Sequence, residues 1–220
     1  MMSGRLSSAH SFSPREIRDI FISTLVLTAA VVIMFRSGSV ADYFERHFGG
    51  SEYGAMFAVI FVIMLLSFVG HEMGHKFMSQ DLGCWAEYRM YPMGLLLALV
   101  MSVFGFLFAA PGAVYIRGNM TVEDNGRISI AGPAVNMFLA AVGIAGSLVL
   151  NETAYVVPVY LMASMNASLA LFNMLPFGPL DGAKILRWNT AVWTLMIIIA
   201  GVLFGLRMFG LLPAFQYTLG

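Results

Sequence analysis

Residues 71–75, His-Glu-Met-Gly-His, have the types and the spacing of a metal-dependent hydrolytic site. On a helix, positions i and i+4 lie on one face, so His71 and His75 can present two imidazoles to one ion. Glu72 then stands where a general base for a metal-bound water is expected. Because the same spacing also fits the solvated face of a soluble helix, the surrounding sequence decides between the two interpretations.

The motif lies at the end of a long apolar run that begins near Gly54. Between Tyr53 and Phe68 the only polar side chain is that of Ser67. Ionisable residues at membrane depth are energetically costly and usually functional. Three of them within one helical turn, in this order, predict a metal site inside a membrane helix.

The composition indicates an all-α polytopic membrane protein. Of the 220 residues, 59% are hydrophobic and only 11% are charged, whereas soluble domains carry about 25% charged residues. The mean hydropathy is +0.81. The formal net charge is zero, which gives no indication of nucleic-acid binding.

We expect about five to six membrane helices with a short re-entrant or β-hairpin element. A polar tail is predicted for residues 1–15, a single membrane-embedded domain for 16–220, and a polar loop for 36–53. The apolar runs extend over residues 20–35, 54–80, 93–110, 128–150, 153–172 and 191–206. Residues 111–118 have Pro and Gly at their ends and predict a short strand. Thr121 to Asp124 resembles a capping box that opens the following helix.

A catalytic zinc ion is expected to have three protein ligands and an open position. Two prolines and two glycines between Pro176 and Gly182 must interrupt a helix, and irregular backbone at membrane depth is tolerated where it lines a cavity. Asp181, at the end of this break, can turn its carboxylate inward as the third ligand. In the alternative interpretation, the segment is an ordinary loop and Asp181 caps the next turn.

Three segments together resemble the site-2 protease family of intramembrane zinc metalloproteases: HEMGH at 71–75, GPAVN at 132–136 and NMLPFGPLDG at 173–182. The resemblance covers residues 54–187 and is closest to archaeal-type members. Many members carry a PDZ or CBS domain, and we expect neither in this chain.

The resemblance implies that His71, His75 and Asp181 bind one Zn²⁺ per chain and that Glu72 activates the water. It also implies that Asn173 and Asn136 position the substrate or assist the oxyanion. Interhelical hydrogen bonding, which is frequent in membrane helices, is the alternative role for both asparagines.

A shared metal also constrains the topology. If the N-terminus, with Arg15 and Arg18, is cytoplasmic in the plasma membrane, the motif lies nearer the cytoplasmic face. Asp181 reaches the same depth only if the intervening apolar segment, 93–110, is re-entrant or is paired with another partial crossing. The strand at 111–118 would then dip toward the site.

The sequence thus predicts hydrolysis of a peptide bond inside the membrane, and the resemblance implies that the substrate is the transmembrane segment of membrane-anchored regulatory proteins. An extended substrate could be held by strand 112–117. A metal-binding or metal-transporting membrane protein without proteolysis is the alternative, but it leaves Glu72 without a role. An inactive scaffold is disfavoured by the intact motifs. A glutamate as third ligand is also disfavoured, because Glu123 and Glu152 lie outside the predicted helix interiors.

Overall fold

The computed structural model describes residues 11–48, 52–107 and 110–208. In this part of the chain, α-helices dominate. Two strands, which are connected through a helix, form one antiparallel pair that we call the hairpin. The elements are α1 (Pro14–Met34), α2 (Ser39–Phe48), α3 (Glu52–Met64), α4 (Gly70–Asp81), β1 (Trp85–Met90), α5 (Pro92–Val103), β2 (Gly112–Arg117), α6 (Val122–Val149), α7 (Val156–Asn173), α8 (Asp181–Trp188) and α9 (Thr190–Met208).

Four helical stretches are long and apolar enough to cross a membrane: Pro14–Met34, Tyr53–Asp81, Val122–Val149 and Val156–Asn173. Helices α5 and α9 are apolar but shorter. The protein is therefore an all-α polytopic membrane protein with a small hairpin, as its composition and apolar runs predict.

Helices α3 and α4 form one continuous helix that is interrupted by a π-helical turn at Leu65–Val69. The turn ends directly before Gly70, so the metal-site motif begins the next α-helical segment. A π turn is wider than an α turn and shifts the register of the side chains that follow it, and such turns often occur at functional sites.

The capping box predicted at the start of α6 is confirmed. The Thr121 hydroxyl accepts from the Asp124 N–H at 3.0 Å, and the Asp124 carboxylate accepts from the Thr121 N–H at 2.9 Å. Helix α1 begins at Pro14, earlier than the apolar run that starts at Ile20. Within its first turn the Glu16 side chain is buried, where it forms a 2.5 Å ion pair with Lys76.

The two ends of the segment that connects β1 to β2 lie side by side. The Tyr91 N–H donates to the Pro111 carbonyl at 2.8 Å, so the two ends of this segment meet. Helix α5, about 18 Å long, runs along α1, and a Cβ at Gly94 would lie 2.0 Å from the Ala110 carbonyl. The returning chain therefore passes against the start of α5, which agrees with the re-entrant prediction for residues 93–110.

Strand β2 confirms the strand predicted within 111–118. It pairs antiparallel with β1, with Tyr88 opposite Val114. The sequence does not predict strand β1, because its mixed aromatic and charged residues indicate only an interfacial segment. The Tyr88 ring is fully buried and packs edge-on against Phe68, at 5.7 Å between ring centroids, so the hairpin is attached to the π turn.

The prediction of a loop over residues 36–53 is wrong, because α2 lies within it. Val40, Tyr43 and Phe44 are buried on one face of α2, which is the i, i+3, i+4 pattern of an amphipathic helix. The division into a tail of residues 1–15 and a domain from residue 16 stays a prediction, since residues 1–10 lie outside the described chain.

Candidate metal centre

Three predicted ligands from two distant elements meet in the interior. His71 and His75 lie one turn apart on α4, and Asp181 is the first residue of α8. One ligand atom from each lies within 4.8 Å of the other two. The Asp181 Oδ2 atom is 3.0 Å from His75 Nε2 and 3.5 Å from His71 Nε2. The Asp181 carboxylate forms no helix cap and instead faces the two imidazoles.

The hydrogen bonds of the two imidazoles fit a bound cation. His71 Nδ1 lies 2.6 Å from Asn136 Oδ1, and His75 Nδ1 lies 2.8 Å from the Ile128 carbonyl. Both oxygens only accept, so in the neutral imidazoles the protons are on Nδ1. The two Nε2 lone pairs then face each other at 3.0 Å with no proton between them, beside a carboxylate. Two imidazoles oriented by their second nitrogens, together with one carboxylate, suit Zn²⁺.

Asn136 orients His71 from a completely buried position. Its Nδ2 donates to the Ser67 carbonyl at 3.0 Å and to Asn166 Oδ1 at 2.8 Å. Asn166 Nδ2 in turn donates to Ser67 Oγ at 2.7 Å. This network joins α6, the π turn and α7 behind the His71 ring. Sequence reasoning missed Asn166 and the role of Ser67, because their partners are far away in the chain and form no local motif.

Gly132 leaves the space in front of the imidazoles. A Cβ at this position would lie 2.4 Å from His75 Nε2 and 2.7 Å from His71 Nε2. A Cβ at Gly74 would lie 2.8 Å from the Ala131 carbonyl. Glycine at both positions thus lets α4 and α6 approach closely enough for the site to form.

Glu72 lies between the three ligands and the hairpin. His71, Asp181, Lys184 and the Val114 backbone of β2 are among its neighbours. Lys184 Nζ also lies 3.1 Å from Asp181 Oδ1, the carboxylate oxygen that is not directed at the imidazoles. A carboxylate therefore stands beside the ligand cluster.

Asn173 is the last residue of α7, before the irregular segment that leads to Asp181. Its Nδ2 donates to the Leu169 carbonyl of its own helix at 3.0 Å. The structure therefore brings His71, Glu72, His75, Asp181 and Asn136 together, whereas the Asn173 amide bonds within α7.

Among the described residues, no strand pairs with the second edge of β2, which lies near Glu72. The Tyr88 N–H donates to Glu16 Oε1 at 2.9 Å and not to β2, so Tyr88 and its partner Val114 are a non-hydrogen-bonded pair. The backbone groups of Gly112, Val114 and Ile116 consequently point away from β1. This edge can accept one further extended strand.

Comparison with known proteins agrees with these observations. The sequence model of Peptidase family M50 matches residues 150–197. MJ0611 of Methanocaldococcus jannaschii, provisionally named a zinc metalloprotease, is 34% identical over 196 residues, which cover 86% of this chain and 92% of that protein. Zinc metalloprotease MJ0392 of the same organism is 27% identical over 175 residues, or 79% of this chain and 42% of the relative.

Rip3 of Mycobacterium tuberculosis, also provisionally named a zinc metalloprotease, is 30% identical over 130 residues, or 57% of this chain and 29% of Rip3. No solved structure matches the chain. The similarity to MJ0611 extends over nearly the whole of both proteins and includes the region of the ligand cluster. The chain thus belongs to peptidase family M50, the site-2 protease family, and is a multi-pass membrane zinc metalloprotease.

Proposed function

We propose that this protein hydrolyses a peptide bond within the transmembrane segment of membrane-anchored regulatory proteins. His71, His75 and Asp181 would hold the zinc ion. The observation that carries the proposal is the convergence of two Nε2 lone pairs and one carboxylate oxygen beside Glu72. Zinc, when bound, lowers the pKa of a water molecule to about 7 and polarises a carbonyl.

Glu72 is the general base in this proposal. Its carboxylate accepts a proton from the attacking water as the carbon–oxygen bond forms, and it delivers that proton to the amine nitrogen as the peptide bond breaks. Its position between the ligand cluster and the Val114 backbone supports this role, because a scissile peptide held at β2 would lie within its reach.

The substrate binds as an added strand. A transmembrane helix hides its carbonyl groups in internal hydrogen bonds, so the scissile segment must unwind before water can attack it. The free edge of β2, with the backbone groups of Gly112, Val114 and Ile116, can replace those hydrogen bonds. This arrangement brings the extended peptide past Glu72.

The two asparagines have different roles. Asn136 is a positioning residue for His71, because its Oδ1 and both Nδ2 hydrogens already bond to protein groups and nothing remains for a substrate. Asn173 lies at the end of α7 with a half-buried side chain and is proposed to position the substrate.

The site lies nearer the cytoplasmic face of the plasma membrane. The end of the molecule with the start of α1 also carries the hairpin, the start of α6 and all of α8. Its described basic residues are Arg15, Arg18, Lys76, Arg89, Arg117, Arg127, Lys184 and Arg187. Only Arg36 and Arg46 are described at the opposite end before α9, and an excess of basic residues marks the cytoplasmic side.

The test combines zinc analysis with cleavage of a reconstituted single-helix membrane substrate. Glu72→Gln should keep one zinc per chain and lower the cleavage rate by about 10²- to 10⁴-fold, because only proton transfer is lost. Asp181→Ala should lose zinc. Glu123→Gln, a matched change at an exposed position of α6, should alter neither. Undiminished cleavage by Glu72→Gln would disprove the mechanism.

A further inference from the structure

A cavity of about 630 Å³ lies on the outer face of the hairpin, opposite the face on which Tyr88 is buried. It belongs to a different face of β1 and β2 from the metal cluster. Four arginines and two aromatic residues dominate its lining: Arg15, Arg18, Trp85, Arg89, Tyr115 and Arg117. They come from α1 and from both strands, so the fold gathers them from three separate parts of the chain.

The positive charge of this cavity is only partly neutralised. Asp19 is the one carboxylate in the described lining, and Arg18 Nη2 already binds it at 2.8 Å. Arg15 and Arg117 form no ion pair with any described carboxylate. The Arg117 guanidinium instead lies over the Trp85 ring, 5.5 Å from its centroid. Two guanidinium groups are therefore available to an anion.

Arg89 is partly neutralised by Glu87, at 2.6 Å. Burial alone would raise the pKa of the Glu87 carboxyl, but hydrogen bonds from Ser13 and Arg89 and the charge of Arg89 lower that pKa below its usual value. Glu87 is thus ionised at neutral pH, and its carboxylate is already bound by Ser13 and Arg89. It is therefore not available to the other arginines.

The cavity lies where apolar helices begin. Helix α1 starts at Pro14, just before Arg15, and runs into its membrane-crossing stretch. Helix α5 starts at Pro92, which also lines the cavity. Trp85 and Tyr115 are exposed, and exposed Trp and Tyr side chains mark the headgroup level of a membrane protein.

Apolar side chains continue from the cavity along both helices. Ile17 and Phe21 are exposed one turn apart on α1, and Met93 and Leu96 are exposed at the start of α5. A ligand that fits this combination has an anionic head and an apolar tail. An acidic peptide segment would match the arginines but not the apolar surface that follows them.

We propose that this cavity binds the phosphate ester of an anionic membrane lipid, with Arg15 and Arg117 as the principal ligands of the phosphate. A planar guanidinium group can donate two parallel hydrogen bonds to the oxygens of one phosphate. Basic pockets between membrane helices on the cytoplasmic side are suited to lipid headgroups. The acyl chains lie along the exposed faces of α1 and α5. The proposal does not depend on the metal ligands or on catalysis.

The test measures binding of short-chain phosphatidylglycerol to the purified protein in a neutral detergent, by native mass spectrometry. We expect one tightly bound lipid per chain. The double variant Arg15→Gln/Arg117→Gln should bind it at least about tenfold more weakly, since both guanidinium groups lose their charge-assisted hydrogen bonds to the phosphate. The control Arg46→Gln/Arg127→Gln removes the same net charge from exposed positions outside the cavity and should bind as the unaltered protein does.

Zinc content and thermal unfolding show whether each variant is folded. If the double variant does not fold, the single substitutions at Arg15 and Arg117 should each weaken lipid binding severalfold. Phosphatidylcholine and free glycerol phosphate should bind much more weakly than phosphatidylglycerol. Equal weakening in the control, equally tight binding of free glycerol phosphate, or displacement of the lipid by an acidic peptide would overturn the proposal. Glu72→Gln should leave lipid binding unchanged, which separates this site from the proposed catalysis.

Discussion

At the scale of single residues, the candidate metal centre depends on groups that would not themselves contact zinc. Asn136 and the Ile128 carbonyl orient the two imidazoles, Gly132 keeps the space open, and Lys184 binds one oxygen of the Asp181 carboxylate. Outer partners of this kind typically change metal affinity by about 10- to 100-fold when they are removed.

Lys184 should hold Asp181 in its ligating orientation. Its ammonium group lies 3.1 Å from Oδ1, which leaves Oδ2 for the metal. We expect Lys184→Met to speed zinc loss to a chelator by about tenfold and Lys184→Arg to restore much of the retention. Arg187→Met, in the same helix, is the control. Unchanged zinc loss in Lys184→Met would show that Asp181 does not need this contact.

Gly132→Ala should empty the site without unfolding the protein. The added methyl group would lie within 2.7 Å of both Nε2 atoms, so the imidazoles must turn away from each other. We expect less than a tenth of the normal zinc content, by analogy with the loss of a ligand-orienting contact. Gly201→Ala is the matched control, because nothing lies within 4 Å of a Cβ placed there. Normal zinc content in Gly132→Ala would contradict the close approach of α6.

At the scale of elements, the first turn of α1 joins α4 to the hairpin. The Lys76 ammonium, next to His75 in sequence, donates to Glu16 Oε2 and to the Ser11 carbonyl. The other oxygen of Glu16 accepts from the Tyr88 N–H of β1. Lys76 and Glu16 are completely buried. Glu16 therefore links the helix that bears the two histidines to the strand pair that borders Glu72.

Removing one member of this buried pair should therefore destabilise the protein strongly. We expect Lys76→Met or Glu16→Gln alone to lower the free energy of unfolding by about 3–5 kcal/mol, because the remaining partner loses its compensation. The double variant should lose less than the sum of the two. Thermal and denaturant unfolding in detergent provide the measurement.

The exposed pair Glu123–Arg127 on α6 is the control for this cycle. Its double replacement should change the free energy of unfolding by less than about 1 kcal/mol. Additive losses at Glu16 and Lys76 would mean that the two buried groups act independently.

At the scale of the whole molecule, the arrangement of basic residues predicts which end faces the cytoplasm. The only cysteine, Cys84, is buried, so introduced cysteines can report accessibility over a low background. A cysteine at Glu123 should react with a membrane-impermeant maleimide only in inverted vesicles, and one at Glu45 only in intact cells. The reverse pattern would place the site near the outer face.

The elements that position the site can be predicted from the sequence where a short local pattern specifies them. The i, i+4 spacing of His71 and His75, the capping box at Thr121 and the break before Asp181 each occupy a short stretch of sequence. Helix α2 and strand β1 also had signals, in the spacing of Val40 and Phe44 and in the alternation along β1. Those signals were weak beside the strong hydropathy of the neighbouring runs.

The support around the ligands could not be predicted in the same way. Asn166 and Ser67 meet because α7 packs beside the π turn, and the ion pair between Glu16 and Lys76 depends on where α1 lies across α4. Such contacts arise from three-dimensional packing between elements far apart in the chain. No spacing rule within one element can indicate them.

The division of the ligand set between α4 and α8 has a consequence for biosynthesis. During translation, the two histidines reach the bilayer long before Asp181 is made, and the nascent chain has only two of the three proposed ligands. Catalytic competence would therefore be acquired at a late stage of membrane insertion, once α6 and α7 are in place. A growing chain would thus be protected from its own premature activity, and neighbouring nascent membrane proteins would be protected as well.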